Sequence, residues 1–230
     1  MRTICPYPEC SLEFDFPDES LDKRGHFVGD CVHCLKPAAF RNLEAYEIIN
    51  REFEKRQRQE ALSGGPERAS DWVAARTVLV EDVRSLWNVG SIFRTADGAG
   101  FEHVSLSGIT GSPPRKEIEK VSLGAEQVIS WDYERNPMVV LNRLKAQNMQ
   151  IVGLEKNDSS ILLSDALMEE RIRQPMCLVV GNEVSGLSPQ VLSLCELTCH
   201  LPMRGMKESL NVAVAYGIAA YMIAQSLDRK

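Results

Sequence analysis

Two short apolar runs near the C-terminus, each followed by a glycine-bearing loop, constrain the fold of this chain more than any other feature. Residues 176–180 (MCLVV) precede the loop GNEVSG, and residues 197–201 (LTCHL) precede the loop PMRG. A continuous apolar run bounded by glycine is typical of a buried strand. Strands of an open α/β sheet bring their ligand-binding loops to one edge. The two loops are therefore predicted to meet at a ligand site.

A third segment, SLN at residues 209–211, follows the second loop and opens a long apolar run over residues 212–224. The loops contain neither the GxxxxGK[ST] pattern nor the GxGxxG fingerprint, so phosphate binding is not their expected use. Ordinary turn chemistry explains any one of the glycines taken alone. What distinguishes the region is the order of its three segments: GNExxGL, then LPM, then SLNVAVA.

Upstream of this region, strand-like and helix-like patterns alternate. The predicted elements are strands at residues 77–83, 104–107, 127–131 and 150–155, helices at 88–100 and 137–148, and a loop-rich segment at 109–124. Asn88 is predicted near the N-cap of the first helix. The alternation predicts an α/β fold with a mostly parallel sheet and helices on both of its faces.

One upstream segment, NVGSIFRTAD at residues 88–97, completes a set of three motifs with residues 180–187 and 201–215. In content and order this set resembles the motifs of the SpoU (TrmH-like) family of RNA ribose 2'-O-methyltransferases, in the SPOUT superfamily. The resemblance covers about residues 74–228 and does not extend to residues 1–70. It implies S-adenosylmethionine as the cofactor, a C-terminal trefoil knot that folds around it, and a homodimer.

The resemblance also implies the site residues. The expected catalytic residues are Arg94, Asn88, Glu183, Ser209 and Asn211. The expected cofactor-binding residues are Val180, Gly181, Leu201, Met203 and Leu210, with the adenine in an apolar slot.

The family arginine at the position of Arg94 is often described as the base that activates the ribose hydroxyl. A guanidinium has a pKa above ~12, so a neutral arginine is rare near pH 7. Arg94 is therefore also expected to stabilise the developing alkoxide or to bind the adjacent phosphate. A surface ion pair is the alternative without a catalytic role.

The other expected catalytic residues have structural alternatives of equal weight. Asn88 and Asn211 can orient the substrate or tie loops together through amide hydrogen bonds. Glu183 can fix Arg94 or Asn211. Ser209 can cap the last helix, and the exposed N–H groups at the start of that helix can bind a phosphate.

Four of the seven cysteines, Cys5, Cys10, Cys31 and Cys34, follow the pattern C-x4-C and then C-x2-C. Two close pairs on tight turns can place four thiolates around one tetrahedral Zn²⁺. A segment this short cannot bury a large core, so a metal ion would stabilise it. The spacing predicts a structural zinc ribbon at residues 1–40, with unrelated thiols as the alternative. A helical connector and linker at 41–70 and a methyltransferase domain at 71–230 complete the predicted organisation.

Charge and hydropathy restrict the partners. The formal net charge of -6 argues against binding nucleic acid through overall charge, although a local basic face is possible. The candidates for that face are Arg94, Arg115, Lys116, Lys120, Arg204 and Lys207. No apolar run reaches the ~18 residues that span a bilayer, and the N-terminus lacks the apolar core of a signal peptide. We therefore expect a cytoplasmic protein without a membrane partner.

These features together predict S-adenosylmethionine-dependent 2'-O-methylation of a ribose in tRNA or rRNA, with RNA contacts from the ribbon. One alternative is a non-catalytic RNA-binding or assembly protein on the same fold, which would have less need of Arg94, Glu183 and Asn211. Another is methylation of a base, against which the motif containing Asn88 and Arg94 argues.

Overall fold

The computed structural model of the protein describes residues 2–5, 10, 12–16, 26–35, 37–41, 63–66 and 72–229. The chain divides into two compact units, one formed by residues 1–60 with 188–193 and the other by residues 61–187 with 194–230. The predicted connector helix falls almost entirely on residues 42–62, which lie outside the described residues. The predicted domain boundaries therefore stay predictions.

The described N-terminal residues of the first unit form two antiparallel hairpins. Strand β1 (Arg2–Ile4) pairs with β2 (Glu13–Asp15), and β3 (His26–Asp30) pairs with β4 (Pro37–Arg41). The small buried cluster of this unit consists of Phe14 and cysteine side chains. A core of this size is typical of domains that need a metal ion or disulfides for stability.

The second unit is built on one sheet of eight strands. The strands are β5 (Ser63–Gly64), β6 (Arg76–Glu81), β7 (His103–Ser107), β8 (Ser130–Glu134), β9 (Gln150–Leu154), β10 (Ile161–Leu162), β11 (Met176–Val180) and β12 (Leu197–His200). The helices described from residue 72 onward are α1 (Leu86–Gly98), α2 (Lys116–Ser122), α3 (Ala125–Val128), α4 (Pro137–Ala146), α5 (Leu163–Met168), α6 (Pro189–Leu194) and α7 (Val212–Leu227).

The strand order across the sheet is β10-β12-β9-β11-β6-β7-β8-β5. Neighbouring strands are parallel throughout, except that the short β5 runs antiparallel to β8. Every residue of β11 is buried, so both faces of the sheet are covered at its centre. The predicted α/β class with a mostly parallel sheet is confirmed, whereas the trefoil knot stays a prediction.

Helices α1 and α7 pack against each other beside the sheet. Phe93 of α1 and Tyr216 of α7 are fully buried, and the Tyr216 ring meets Phe101 edge-on at 5.6 Å between ring centroids. A Cβ atom on Gly98 would lie 2.6 Å from the Tyr221 hydroxyl, so glycine allows the close approach of the two helices. Of the helices in the described residues, none is both long and apolar enough to cross a membrane.

The region between β7 and β8 is more helical than predicted. The segment expected to be loop-rich contains α2, and the strand expected at residues 127–131 begins only at Ser130 because residues 125–128 form α3. The apolar run that suggested a longer strand is divided in the structure. Val128 is 56% exposed at the end of the helix, whereas Ile129 and Trp131 are buried.

Both predicted helix caps lie a few residues from the observed ones. Ser85, rather than Asn88, is the N-cap of α1, and its Oγ accepts from the backbone N–H of Asn88 at 3.4 Å. Asn211, rather than Ser209, is the N-cap of α7. The amide of Asn88 is not available as a cap because it makes hydrogen bonds to other segments, as described below.

Asp132 lies in a charged network that connects β7, β8 and α4. Its carboxylate is hydrogen-bonded to His103 Nε2 at 3.2 Å and accepts a hydrogen bond from Arg143. Burial alone raises the pKa of Asp132, but the hydrogen bond with His103 and the charges of His103 and Arg143 outweigh it and lower the pKa to about 2. The ionised carboxylate therefore stabilises the folded second unit.

We expect Asp132→Asn to lower the free energy of unfolding by roughly 2 kcal/mol near pH 7, since one pKa unit corresponds to about 1.4 kcal/mol. Because the pKa is lower in the folded state, this stabilisation is complete above about pH 5 and is lost as the pH falls toward 2. Urea denaturation followed by tryptophan fluorescence measures it, since all three tryptophans lie in the second unit.

The control is Glu196→Gln, which removes an exposed ion pair with Arg173 at 3.4 Å and should change stability by less than about 1 kcal/mol. The difference between Asp132→Asn and the unsubstituted protein should narrow as the pH falls. A difference that is independent of pH would contradict the assigned role of Asp132.

Candidate active site and metal centre

A cavity of about 530 Å³ lies at the carboxyl ends of β9, β11 and β12. The loops that follow these three strands line it, together with the first turn of α7. The volume lies within the range of small-molecule sites, about 300–1,000 Å³. The two loops singled out in the sequence therefore meet at one edge, although β9 separates β11 from β12 and contributes a third loop.

All five residues expected to bind a cofactor are found in the lining of this cavity. They are Val180, Gly181, Leu201, Met203 and Leu210. Four of these side chains are apolar, as an apolar slot for a ring system requires. Their binding role itself stays a prediction.

The loop at residues 181–186 is closed by its own hydrogen bonds. The N–H of Asn182 donates to the carbonyl of Gly186 at 3.1 Å, and the N–H of Gly186 donates back to the carbonyl of Asn182 at 3.0 Å. The Asn182 amide accepts from two N–H groups inside the loop and donates to the carbonyl of Asp82 at 2.7 Å. A Cβ atom on Gly181 would lie 2.4 Å from the carbonyl carbon of Gly186, so the loop leaves no room for a side chain there.

Glu155, the residue after β9, braces the same loop. Its Oε2 accepts from the N–H of Leu187 at 2.9 Å, and its Oε1 accepts from the N–H of Lys156 at 3.1 Å. Gly186 has a positive φ of 68°, and a Cβ atom there would lie 2.1 Å from Glu155 Oε2. Glu155 belongs to none of the three sequence motifs. The only sequence signal for it was an acidic residue at the end of a predicted strand.

Glu183, Asn88 and Asn211 form a continuous chain of hydrogen bonds between three distant segments. Asn88 Nδ2 donates to Glu183 Oε1 at 2.9 Å, and Asn211 Nδ2 donates to Asn88 Oδ1 at 3.1 Å. The carboxylate of Glu183 also accepts from the backbone N–H groups of Arg84 and Ser85. Residues that are 95 and 123 positions apart in the sequence are joined in this way.

The bonds also fix the chemical state of each member. Burial alone raises the pKa of Glu183, but hydrogen bonds from backbone N–H groups and from Asn88 outweigh it and lower the pKa below its usual value. Glu183 is therefore an anion that accepts hydrogen bonds near neutral pH. The Oδ1 of Asn211 accepts from the N–H groups of Ala213 and Val214, so the same side chain caps α7 and holds Asn88.

The other two residues expected to be catalytic lie outside this chain of bonds. Ser209 lines the cavity and is exposed. Arg94 is exposed on α1 and is absent from the cavity lining. Within the described part of the protein, the side chain of Arg94 makes no hydrogen bond or ion pair. Glu183 thus bonds to Asn88, rather than directly to Arg94 or Asn211.

In the first unit, the four N-terminal cysteines form one cluster. Cys5, Cys10, Cys31 and Cys34 have sulfur atoms that all lie within 4.8 Å of one another. The Sγ atoms of Cys5 and Cys34 are 3.7 Å apart, and those of Cys10 and Cys31 are 3.8 Å apart. Four sulfurs around a tetrahedral Zn²⁺ at about 2.3 Å lie about 3.8 Å from one another, whereas a disulfide requires about 2.05 Å. The cluster therefore has the dimensions of a zinc site.

The surroundings of the cluster also suit a metal. The backbone N–H of His33 donates to Cys31 Sγ at 3.4 Å. Burial alone raises the pKa of Cys31, but hydrogen bonds from the N–H groups of Cys34 and His33 outweigh it and lower the pKa to about 6. The His33 ring is hydrogen-bonded to the carbonyl of Glu13 at 3.2 Å and packs on Phe14, so it is not one of the clustered ligands.

Comparison with known proteins agrees with this geometry. The model of the SpoU rRNA Methylase family matches residues 75–221, which is more than half of the chain and includes the cavity and the bonded chain of Glu183, Asn88 and Asn211. The protein belongs to the SpoU rRNA methylase family, as the sequence motifs predicted.

Similar proteins include methyltransferases of two kinds of RNA. The chain is 29% identical over 153 residues to the tRNA (guanosine(18)-2'-O)-methyltransferase of Aquifex aeolicus, covering 66% of this chain and 70% of the relative. It is 29% identical over 148 residues to the 23S rRNA (guanosine(2553)-2'-O)-methyltransferase of Bacillus subtilis, covering 64% of this chain and 57% of the relative.

Solved structures give the same family. The SpoU methyltransferase AviRb from Streptomyces viridochromogenes, in complex with the cofactor AdoMet, superimposes with a TM-score of 0.59 and 26% identity. The match covers 70% of this chain but only 62% of AviRb. The chain thus spans less than two thirds of that protein's length.

We expect Gly181→Ala to lower the free energy of unfolding by roughly 1–3 kcal/mol, because the added methyl group collides with backbone atoms of Gly186 and Leu187. The matched control is Gly205→Ala in the loop after β12, where no atom lies within 4 Å of the added carbon. The control should change stability by no more than about 0.5 kcal/mol. Urea denaturation measures both, and equal effects would contradict the close packing assigned to the first loop.

Proposed function

We propose that the protein transfers a methyl group from S-adenosylmethionine to a ribose 2'-hydroxyl of a tRNA or rRNA. The observation that carries the proposal is that two of the three motif segments line one cavity, and that hydrogen bonds of Asn88 with Glu183 and Asn211 tie the third segment to them. The two relatives named above are 2'-O-methyltransferases, one of tRNA and one of rRNA. Because both are 29% identical to this chain, similarity does not choose between the two RNAs.

The cavity has the dimensions and surface that the cofactor needs. Val180, Leu201, Met203 and Leu210 offer apolar surface to an adenine ring, and Gly181 exposes backbone at the wall. When bound, the cofactor supplies a methyl group on a sulfonium that a hydroxyl oxygen can attack in line. The protein's contribution is to hold the reacting atoms close and aligned, which by itself can lower the barrier by several kcal/mol.

Arg94 is the residue that we expect to act on the RNA. An arginine side chain is positively charged near neutral pH and can donate two parallel hydrogen bonds. It is thus suited to hold a phosphate beside the reacting ribose and to stabilise the negative charge that develops on the oxygen. It is not suited to accept the proton of the hydroxyl.

A second copy of the chain would bring Arg94 to the cavity. The exposed side of the α1–α7 pair carries Trp87, Val214, Ile218 and Tyr221, each between 43% and 53% exposed. An apolar face of this kind is typical of a protein interface. Arg94 lies seven residues after Trp87, about two helical turns, and so on nearly the same side of α1. We therefore propose a homodimer in which Arg94 of one copy completes the cavity of the other.

The remaining parts of the proposal concern the RNA, the metal and the location. Of the candidate basic residues, Arg94, Lys116, Lys120, Arg204 and Lys207 are exposed, so a local basic face is compatible with the net negative charge. The four clustered cysteines would hold a structural Zn²⁺, which would order the first unit for contact with RNA. A cytoplasmic location is part of the same proposal, since tRNA and rRNA are the substrates.

The central test is methyl transfer. We expect the protein to transfer label from S-adenosylmethionine to RNA from cells that lack the gene, and nuclease digestion to place the methyl group on a ribose. Arg94→Ala should lower kcat by roughly 100-fold or more, as for the loss of a transition-state donor, with cofactor affinity unchanged. The control is Arg171→Ala, which removes an exposed arginine paired with Glu169 at 3.7 Å.

Three results would contradict the proposal in different ways. Full activity of Arg94→Ala would remove Arg94 from the site. Methyl groups on bases would show base methylation. RNA binding without any transfer would favour the non-catalytic assembly protein.

The dimeric site has its own test, because complementation requires two chains. Arg94→Ala and a cavity variant, Gly181→Val, should each be inactive alone. Coexpressed, they should form mixed dimers with one intact site and recover about a quarter of the activity, since about half of the dimers are mixed. Absence of any recovery would contradict the assignment of Arg94 to the other copy.

For the metal, we expect about one zinc per chain in the full protein purified without added metal, because the four sulfurs form one tetrahedral site. Elemental analysis measures the content. Cys10→Ser should remove most of the zinc, whereas Cys195→Ser, which changes a half-buried thiol of the second unit, should retain it. Equal zinc in both variants, or far less than one equivalent in the unsubstituted protein, would contradict a zinc site at the cluster.

A further inference from the structure

The cavity wall contains a histidine that none of the roles above uses. His200 is the last residue of β12, is half-buried, and lines the cavity directly before Leu201. β12 lies between β9 and β10 in the sheet, and His200 lies opposite Leu162 of β10. The ring reaches Ser160, just before β10, where its Nδ1 lies 2.9 Å from the hydroxyl oxygen. Pairing with β10 and the contact with Ser160 therefore fix the position of His200.

The hydrogen bonds of Ser160 determine which ring nitrogen of His200 carries the proton. Ser160 Oγ lies 2.8 Å from the carbonyl oxygen of Asn157, which can only accept, so the single hydroxyl proton points there. The same oxygen accepts from the backbone N–H of Asn157 at 3.0 Å. His200 Nδ1 must therefore donate to Ser160 Oγ, which makes the neutral ring the Nδ1–H tautomer.

This tautomer leaves Nε2 of His200 with a lone pair. Within the residues that the structure describes, Nε2 makes no hydrogen bond. The atom is also not fully buried, so a ligand can reach it. It is thus an accessible hydrogen-bond acceptor on a residue of the cavity wall. Sites for small molecules obtain their specificity from a few polar groups in fixed positions, such as this one. A ligand with an O–H or N–H group at this point would satisfy it.

We propose that His200 is a specificity-determining residue for the nucleoside part of the cofactor, with Nε2 accepting a hydrogen bond from one of its O–H or N–H groups. Ser160 is the positioning residue, because it holds the ring in the tautomer that leaves Nε2 unprotonated. The inference rests on the proposed function, since it takes the cavity as the cofactor site. The nucleoside is favoured over RNA because His200 adjoins Leu201, one of the apolar residues that form the proposed adenine slot.

Calorimetric titration of the full protein with S-adenosylmethionine and S-adenosylhomocysteine tests the proposal without requiring catalysis. His200→Phe preserves the ring shape and should weaken both ligands roughly 3- to 10-fold, the effect of one lost hydrogen bond. Ser160→Ala should weaken them by a smaller factor, because the ring then also populates the Nε2–H tautomer. Ser160→Ala should have no further effect when His200 is already phenylalanine.

The matched control is Ser159→Ala in the same turn. The Ser159 hydroxyl donates to Asn157 Oδ1 at 2.9 Å, and the bonds that fix the His200 tautomer come from Ser160 instead. The affinity of the Ser159→Ala variant for both ligands should equal that of the unsubstituted protein.

Nitrogen-15 NMR of the histidine side chains gives a second test, because it reports which ring nitrogen of His200 is protonated. A purely structural role of Ser160 would not change this. The His200 signals, identified by their loss in His200→Phe, should show a protonated Nδ1 and an unprotonated Nε2. Ser160→Ala should shift the ring toward the Nε2–H form. A protonated Nε2 in the unsubstituted protein, at a pH where the His200 ring is neutral, would overturn the proposal.

The binding outcomes separate this proposal from the proposed function. If the unsubstituted protein binds neither ligand, the proposed function fails, and this inference fails with it. If it binds them and His200→Phe binds them equally well, only this inference is overturned. An unchanged cofactor affinity in His200→Phe with a raised KM for RNA would likewise overturn it, by assigning His200 to the substrate.

Discussion

The carboxylate of Glu183 is the interaction on which the arrangement of the site depends. It accepts hydrogen bonds from Asn88 and from the two backbone N–H groups at the start of α1. Asn88 in turn holds Asn211, which caps α7. One anion therefore fixes the loop after β11 to the first turns of two helices. Without it, the half-buried donors of Ser85 and Asn88 and the exposed N–H of Arg84 would lose this acceptor together.

The cavity follows from the strand order around this anchor. β9 lies between β11 and β12, so the loops of all three strands meet at the same edge of the sheet. The loop after β11 can turn so tightly only because Gly181 and Gly186 lack side chains, and Glu155 from the neighbouring strand occupies the space that a side chain would need. The wall of the cavity combines backbone and apolar groups with polar side chains, and Glu155 supports it from the end of β9.

The two units of the chain are stabilised in different ways. The second unit buries both faces of a parallel sheet and packs α1 on α7. The first has a small buried cluster in which cysteines accompany Phe14, and its sulfur atoms have the spacing of a tetrahedral metal site. The exposed apolar side of the α1–α7 pair is the face that a second copy would cover in the homodimer proposed above.

The sequence alone determined the class of fold, the family and five residues of the cavity wall, because these depend on local patterns. Buried parallel strands are apolar throughout, and tight loops require glycine. The residues Val180, Gly181, Leu201, Met203 and Leu210 lie within motif segments that can be recognised from the sequence alone. The cysteine spacing likewise identified the cluster. One element boundary was not readable from local pattern, since residues 127–128, expected at the start of a strand, end helix α3 instead.

Only the tertiary structure decided which of the polar groups bond to one another. Asn88 was a reasonable helix cap by sequence, but its amide is taken by Glu183 and Asn211, from segments far along the chain. Glu155 and His200 gave no motif signal, because their roles come from the neighbours that the strand order gives them. The same holds for Arg94, whose position on α1 is readable from the sequence but whose distance from the cavity is not. A hydrogen bond depends on distances of a few ångströms between remote residues, and sequence spacing contains no such information.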